Sequence, residues 1–137
     1  MNIQIYCNKK PDVESLIKLY LDAGWGESKD YPQRVVEQFK NALDNSHIIT
    51  AYDQNDLVGF IRFFTDGFHD THIIEFVVLK KYQNRGIGKL LFEKLVEQFG
   101  DTDIYINSTE TSVDILQKYN FKKHHLVGMS FVKKRIN

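Results

Sequence analysis

The sequence has little with which to build covalent cross-links or a strong field of one sign. It contains a single cysteine, Cys7, and its 137 residues carry no net charge at pH 7. One cysteine cannot form an internal disulfide, and zinc sites built on cysteine pairs are excluded. Zero net charge removes the broad positive field on which non-specific nucleic-acid binding depends. We therefore expect a protein of the reducing cytoplasm without a nucleic-acid partner.

Long apolar runs are also missing. The most apolar stretches, such as residues 76–79, fall far short of the ~20 residues that span a bilayer, and residues 1–10 lack the apolar segment of a signal peptide. We expect no membrane partner. The composition, 42% hydrophobic and 26% charged, is that of a globular protein, and a chain of this length forms one core. The sequence predicts a single domain over residues 1–137 and leaves monomer and homodimer open.

The neutral total conceals an asymmetry along the chain. Residues 1–79 carry 7 basic and 12 acidic side chains, whereas residues 80–137 carry 11 and 6. An acidic half joined to a basic half is suited to holding a cationic ligand beside an anionic one. The alternative is that the asymmetry arose by chance and that these charges simply lie on solvated surfaces. Charge balance bears on the binding partners of a protein and not on its fold.

Hydrophobic periodicity predicts an alternation of strands and helices. The helices are expected from Pro11 to Gly24, from a cap at Asp30 to Leu43, over residues 87–99, and from Ser112 to about Tyr119. Alternating or β-branched segments predict strands at residues 3–7, 47–52, 57–64, 72–79, 103–107, 121–127 and 129–133. The strand at 72–79 is the most apolar, which favours a central position in the sheet.

A glycine-containing turn joins that central strand to the following helix. It reads Gln83-Asn84-Arg85-Gly86-Ile87-Gly88, and no acidic residue occurs from residue 80 to residue 92. Backbone N–H groups that converge at a helix N-terminus bind anions, so a phosphate-bearing ligand fits. A tight turn that packs the helix on the strand is the alternative interpretation. Lys89 has the wrong spacing for a P-loop, and Leu91 replaces the third glycine of a dinucleotide fingerprint.

Residues 76–91, FVVLKKYQNRGIGKLL, resemble the acetyl-CoA motif of the GNAT superfamily of N-acetyltransferases, whose core is Gln/Arg-x-x-Gly-x-Gly/Ala. The segment 115–121, ILQKYNF, loosely resembles the family's late Phe-Tyr-Glu-Lys-x-Gly-Phe segment. The order of elements also matches, so the resemblance covers nearly the whole chain. It implies an α/β (α+β) GNAT fold with a twisted, mixed and mostly antiparallel sheet of six to seven strands and four helices.

The resemblance also implies a binding site for acetyl-CoA. Backbone amides around the glycine turn would hold the pyrophosphate, and the central strand would pair with the pantetheine arm, which a stretch starting at Asn107 would flank on its other side. The implied coenzyme-binding residues are Phe76, Val77, Val78, Gln83, Asn84, Arg85, Gly86, Ile87, Gly88, Lys89 and Asn107. No metal is expected.

Glu75 is the candidate catalytic base. On a regular strand it would share a face with the apolar Ile73 and Val77, and burial disfavours an ionised carboxylate unless it has a partner. That environment suits a general base, and GNAT enzymes often carry an acidic residue at this position. The alternatives are a structural carboxylate held by Arg62 and a carboxylate at a solvent-facing sheet edge.

The chain departs from the family pattern at Leu116, where a tyrosine that protonates the leaving thiolate is frequent. Leucine has no proton to give, so the protein acid is in question. Trp25 and Tyr31 lie between the first two helices, in a loop that helps to wall the acceptor pocket in this family. We expect transfer of an acetyl group from acetyl-CoA to a primary amine, most simply a small molecule. A non-catalytic acyl-CoA-binding or interaction module is the alternative.

Overall fold

A computed structural model describes residues 1–109 and 112–132 of the chain. Within it the chain divides into two compact units, Met1–Ile106 and Asn107–Asn137. The first unit holds the whole sheet and three of the helices, and the second holds one short helix. No helix among the described residues is long and apolar enough to cross a bilayer.

Four α-helices occur in the described residues, as the sequence predicts. They are α1 (Val13–Asp22), α2 (Gln33–Asp44), α3 (Ile87–Phe99) and α4 (Val113–Lys118), with 3₁₀ turns at Ser28–Asp30 and Lys80–Tyr82. The predicted cap of α2 is wrong. The Asp30 carboxylate accepts the N–H of Glu27 in a capping box of the preceding 3₁₀ turn, and Pro32 stands at the N-cap of α2. Because Asp30 is used one turn earlier, α2 starts without a side-chain cap.

The first unit is built on a five-stranded mixed sheet in the order β1-β2-β3-β4-β5. Its strands are β1 (Ile3–Cys7), β2 (His47–Asp53), β3 (Asp56–Thr65), β4 (Asp70–Val78) and β5 (Asp103–Ile106). Strands β1 to β4 are antiparallel neighbours, and β5 runs parallel to β4. The α/β class, the mixed sheet and the inner position of β4 are as expected.

The predicted six to seven strands are wrong, since the sheet has five strands among the residues that the structure describes. Residues 121–132, where the last two strands were expected, contain no strand, and Lys133 lies outside the described residues. Four consecutive polar residues, Lys122-Lys123-His124-His125, interrupt this segment. A strand that buries one face needs alternation with a period of two, which a polar run of this length breaks.

The two faces of the sheet are covered by different helices. On one face, the ring of Phe60 in β3 meets Tyr20 of α1, with centroids 6.0 Å apart. On the other, Phe63 of β3 meets Phe99 of α3 at 5.4 Å. The odd spacing of Phe60 and Phe63 explains the division, because successive strand residues point to opposite faces. We call these the α1 face and the α3 face.

Candidate active site

The turn between β4 and α3, residues 83–89, is here called the 83–89 loop. Asn84 and Gly86 both have left-handed backbone conformations, with φ of 62° and 83°. Gly86 is the N-cap of α3, and this conformation is accessible to glycine without steric cost. Two such residues in a short segment turn the chain sharply from the strand into the helix.

The backbone N–H groups of this loop are directed away from the fold's own acceptors. The N–H of Gln83 bonds to the Lys80 carbonyl at 3.2 Å, and the N–H of Leu90 bonds to the Gly86 carbonyl at 3.1 Å. Between them, the N–H groups of residues 84–89 have no acceptor anywhere in the described parts of the chain. Free N–H groups at the start of a 13-residue helix, where the helix dipole is positive, are suited to binding an anion.

Cations surround this candidate anion site. Lys80 and Lys81 precede the loop, Arg85 and Lys89 lie in it, and the nearest acidic residue along the helix, Glu93, is 3.8 Å from the Lys89 ammonium. The Arg85 guanidinium lies over the ring of Tyr82, 5.6 Å from its centroid. These charges sit at the surface and add a screened attraction to the directional N–H groups. The residues present fit a diphosphate such as that of coenzyme A.

Hydrogen bonds from other elements hold the segment that leads into the loop. The Asp22 carboxylate at the end of α1 accepts the N–H of Lys80 at 2.8 Å, and the Tyr82 hydroxyl donates to Asp53 Oδ2 at 2.7 Å. The Gln83 side chain donates to the Val78 carbonyl at 3.0 Å. In this structure the predicted coenzyme residue Gln83 therefore braces the end of β4 with its side chain.

Strand β4 separates from β5 halfway along its length. The parallel pairing runs from Asp70 opposite Asp103 to Ile73 opposite Ile106 and ends there, while β4 continues to Val78. Within Met1–Ile106, residues 76–78 consequently have a strand partner only on the β3 side. Their other edge, apart from the Val78 carbonyl that accepts from Gln83, has no backbone hydrogen-bond partner among the described residues and suits an extended ligand arm. Asn107 begins the second unit, and its role stays a prediction.

A β-bulge precedes Glu75 and changes the face on which it lies. Phe63 pairs with Ile73 and Arg62 pairs with Glu75, so Ile74 is an extra residue on β4. Paired residues share a face, which places Ile73 on the α3 face with Phe63 and Glu75 on the α1 face with Arg62. The expectation that Ile73 and Glu75 share a face is therefore wrong, because the bulge interrupts the alternation between them.

Glu75 is held by two side chains on the α1 face. Its Oε1 atom accepts from Arg62 Nε at 2.5 Å and from the Tyr20 hydroxyl at 2.8 Å. The side chains of Arg62 and Glu75 are only 10% and 14% exposed, so this is a largely buried ion pair. The structure thus contains the Arg62 partner that the structural interpretation of Glu75 requires, and the catalytic role stays a prediction.

The electrostatics of this cluster follow from burial and from the Glu75 charge. Burial alone would lower the pKa of the Arg62 guanidinium, but its hydrogen bond to Glu75 and the carboxylate charge outweigh that effect and raise the pKa. Burial, followed by the charge of Glu75 and the hydrogen bond to it, raises the pKa of Tyr20 well above its ordinary value of 10.0. Arg62 therefore stays a cation and Tyr20 keeps its proton at neutral pH.

The end of α1 places the predicted acceptor-site aromatics beside this cluster. Gly24 adopts a left-handed conformation, and the N–H of Trp25 bonds back to the Tyr20 carbonyl at 2.9 Å. This helix-ending geometry lays the Trp25 ring 5.4 Å from that of Tyr20, and the Tyr31 ring stacks on Tyr20 at 6.4 Å. The Tyr31 hydroxyl donates to the Trp25 carbonyl. Trp25 and Tyr31 thus form an aromatic wall one ring away from Glu75.

Tyr20 is a further residue of this site, one that the sequence does not reveal. Its ring is indeed buried, but its hydroxyl reaches a carboxylate 55 positions away. An amphipathic helix pattern indicates only that Tyr20 points inward, so no local signal reveals this partner.

Two further features lie outside this cluster. Leu116 is a buried residue of α4 in the second unit, so the position at which the family often has a tyrosine offers no proton here. His69, Asp70 and Asp103 bring potential metal-ligand atoms within 4.8 Å of one another at the surface. His69 is already paired with Asp70 at 3.1 Å, and exposed acidic groups of this kind are common without an ion.

Comparison with known proteins identifies the family. The model of the Acetyltransferase (GNAT) family matches residues 12–121, so the chain belongs to the GNAT acetyltransferase family. The resemblance of residues 76–91 to this family is thereby confirmed. Membership indicates acyl transfer as the class of reaction.

Curated relatives and solved structures agree with this assignment. The uncharacterized N-acetyltransferase ycf52 of Gracilaria tenuistipitata var. liui is 30% identical over 129 residues, covering 90% of this chain and 66% of the relative. The chain spans about two thirds of the length of the curated relatives it matches. A GNAT family acetyltransferase of Streptococcus pneumoniae TIGR4 has a TM-score of 0.79 and 26% identity, over 98% of this chain and 100% of that one.

A more distant structure shares the fold alone. It is an aminoglycoside acetyltransferase from an uncultured soil metagenomic sample, determined in complex with sisomicin. The TM-score is 0.76 and the identity 17%, over 96% of this chain and 97% of the other.

Proposed function

We propose that this protein transfers an acetyl group from acetyl-CoA to a primary amine of a small molecule. The observation that carries the proposal is the 83–89 loop, whose unpaired N–H groups and flanking cations suit a pyrophosphate, in a chain of the GNAT acetyltransferase family. When bound, acetyl-CoA supplies an acetyl group activated as a thioester. The N–H groups of residues 85–89 hold its diphosphate, and the free edge of residues 76–78 aligns its arm.

The chain's own part in the reaction is to prepare the amine. A primary amine is mostly an ammonium ion at neutral pH, and only the free amine is a nucleophile. Glu75, directly or through a water molecule, accepts the proton from the ammonium nitrogen. Trp25 and Tyr31 contribute aromatic faces to the acceptor site, and such faces attract cations. With Leu116 in place of the frequent tyrosine, solvent supplies the proton to the departing sulfur.

A small acceptor is supported by the position of the aromatic wall. Trp25 is 44% exposed and its ring lies 5.4 Å from that of Tyr20, whose hydroxyl bonds to Glu75, so an exposed aromatic surface adjoins the proposed base. One structurally similar but distantly related protein is an aminoglycoside acetyltransferase, so aminoglycosides are included among the amines to be tested. We place the reaction in the cytoplasm, in agreement with the lone cysteine.

A non-catalytic acyl-CoA-binding module is the second candidate, and Leu116 is the observation that favours it. The test is a panel of aralkylamines, polyamines and aminoglycosides incubated with acetyl-CoA, with release of free thiol as the readout and acetylated product verified by mass. An amine-dependent thiol release supports the enzyme. Binding of coenzyme A, measured by a rise in melting temperature, with no thiol release for any amine supports the module. The absence of both coenzyme A binding and thiol release would contradict both candidate functions.

A further inference from the structure

The two hydrogen bonds to Glu75 end on the same oxygen atom. Arg62 Nε and the Tyr20 hydroxyl both donate to Oε1, at 2.5 and 2.8 Å. No hydrogen bond from any described residue reaches Oε2. The carboxylate is therefore held asymmetrically, with one oxygen in the protein's own network and one outside it.

The second oxygen is accessible to water. Among the described residues, Thr50 Oγ1 is the sole buried side-chain polar atom without a hydrogen-bond partner. Glu75 Oε2 also lacks a partner, so it would count among such buried atoms if solvent did not reach it. An accessible oxygen on a carboxylate that is 14% exposed indicates a narrow opening toward Glu75.

We propose that Arg62 and Tyr20 are positioning residues that hold Glu75 by Oε1 and present Oε2 as the atom that accepts the proton of the acceptor amine. This inference rests on the proposed function. Glu75 then has both a structural and a catalytic role: Oε1 is held by Arg62 and Tyr20, and Oε2 accepts the proton. In the transfer, an N–H bond of the ammonium ion breaks and an O–H bond forms at Oε2, directly or through one water molecule.

Rigid surroundings make the arrangement effective. Arg62 stands directly opposite Glu75 on the neighbouring strand, and its Nη1 lies 3.5 Å from Ser46 Oγ. The Tyr20 ring is packed by Phe39 and Phe60 at 5.3 and 6.0 Å, which prevents its hydroxyl from moving away. Charge-assisted hydrogen bonds from two fixed donors restrict rotation of the carboxylate and leave Oε2 in one direction.

Charge is the second contribution of these residues. The titratable groups that face Glu75 are Arg62 from β3, Tyr20 from α1 and, at longer range, Tyr31 from the segment before α2. Arg62 is the one cation among them and favours the ionised carboxylate, the form that is able to accept a proton. Tyr20 keeps its own proton because burial and the Glu75 charge raise its pKa. It is therefore a hydrogen-bond donor to Glu75 and no substitute for the acid that Leu116 lacks.

The test compares four variants by the pH dependence of kcat/KM for an acetylated amine. Arg62→Gln removes the cation and Tyr20→Phe removes the hydroxyl with little change in ring packing. We expect the acid limb of the profile to move to higher pH, by about one unit in Arg62→Gln and by less in Tyr20→Phe. Arg62→Lys keeps the charge, so we expect its acid limb to lie between those of the parent and of Arg62→Gln. Tyr52→Phe, which removes the hydroxyl of another buried tyrosine, is the matched control and leaves the profile unchanged.

A second readout does not depend on turnover. Crystal structures of the parent, Tyr20→Phe and Tyr52→Phe report the orientation of the Glu75 carboxylate. We expect a single orientation, with Oε1 on Arg62, in the parent and in Tyr52→Phe, and a rotated or multiple orientation in Tyr20→Phe. If no amine is acetylated, the proposed function fails and these orientations still decide the positioning role.

The inference is overturned if Tyr20→Phe and Arg62→Gln lower the melting temperature but leave the acid limb of kcat/KM and the orientation of the Glu75 carboxylate as they are in the parent. These two residues would then stabilise the fold without positioning Glu75. If Arg62→Gln does not fold, Tyr20→Phe decides alone, since phenylalanine fills nearly the same space.

Discussion

The indole ring of Trp25 lies against the phenol ring of Tyr20, with centroids 5.4 Å apart and planes tilted by 33°. The hydroxyl of the same tyrosine is bonded to Glu75, so one side chain connects the exposed aromatic wall with the buried carboxylate. An amine that binds over Trp25 is therefore held one ring away from the proposed base.

This relationship predicts the effect of Trp25→Ala. Cation–π attraction is worth about 0.5–2 kcal/mol, so we expect KM for the amine to rise roughly 2- to 30-fold while coenzyme A binds as in the parent. Steady-state kinetics with the amine varied provide the measurement. Phe68→Ala removes another exposed aromatic ring and is the control. An unchanged KM in Trp25→Ala would remove this ring from the acceptor site.

The 83–89 loop is tested by Gly86→Glu. Its carboxylate enters the anion site, so coenzyme A should no longer raise the melting temperature. In the parent, the ligand at 100 times its Kd is expected to add about 2.7 kcal/mol to the free energy of unfolding.

The matched control is Gly67→Glu. Gly67 and Gly86 both have left-handed backbone conformations, with φ of 81° and 83°, and no atom stands within 4 Å of a Cβ added at either. Both variants thus have a similar backbone strain, roughly 1–3 kcal/mol, and only one introduces charge into the loop. If Gly86→Glu responds to coenzyme A as Gly67→Glu does, the loop is merely a turn.

The sequence predicted best those parts of the structure that depend on local periodicity and on glycine. Ile87, Leu91 and Leu95 repeat at helical spacing between Gly86 and Gly100, and α3 has the predicted bounds. The 83–89 loop with its unpaired N–H groups belongs to the same continuous segment, and its role as an anion site stays a prediction. For such features the neighbouring residues contain the needed information.

The sequence could not predict features that depend on distant partners or on an irregular register. No residue in the apolar run around Ile74 indicates the bulge there. The bulge places Glu75 on the opposite face of the sheet from Ile73. The Tyr20 hydroxyl meets Glu75 only because α1 packs on the α1 face of the sheet. Segment 121–132 was assigned to strands on its apolar residues, although its polar run has no strand period.

Glu75→Gln separates catalysis from stability. If Glu75 is the base, kcat/KM per folded molecule falls roughly 100-fold or more, while the coenzyme-induced rise in melting temperature remains. The variant also leaves Arg62 largely buried without its anion, so we expect the free energy of unfolding to fall by roughly 3 kcal/mol. Reduced stability with parent-like kcat/KM would contradict the catalytic role and confirm a structural one.

The turn before β4 predicts a stability effect at low pH. Asp66 Oδ1 accepts the N–H groups of His69, Phe68 and Asp70, at 2.7 to 3.1 Å, and these bonds lower the pKa of Asp66 from 3.8 to about 2. A carboxylate whose pKa is lower in the folded than in the unfolded state stabilises the fold fully at pH values above its unfolded-state pKa. That stabilisation is lost as the pH falls toward 2.

We therefore expect Asp66→Asn to have a lower melting temperature than the parent by a constant amount above about pH 5, with a gap that narrows between pH 4 and pH 2. Thermal unfolding across this range is the measurement. Asp101→Asn replaces an exposed carboxylate without a side-chain hydrogen bond among the described residues and should show no such convergence. A gap of constant size down to pH 2 would show that the charge of Asp66 contributes nothing.

The hydrogen bond that Asp22 accepts from the Lys80 N–H and the one that Tyr82 donates to Asp53 have a kinetic consequence. They fasten the chain just ahead of the 83–89 loop to α1 and to β2, and α3 fixes its far end. A loop that is already ordered has little conformational entropy left to lose when a ligand arrives. Association is then limited by diffusion and orientation, with no slow rearrangement before it, and substitutions around the loop will alter chiefly how quickly the coenzyme departs.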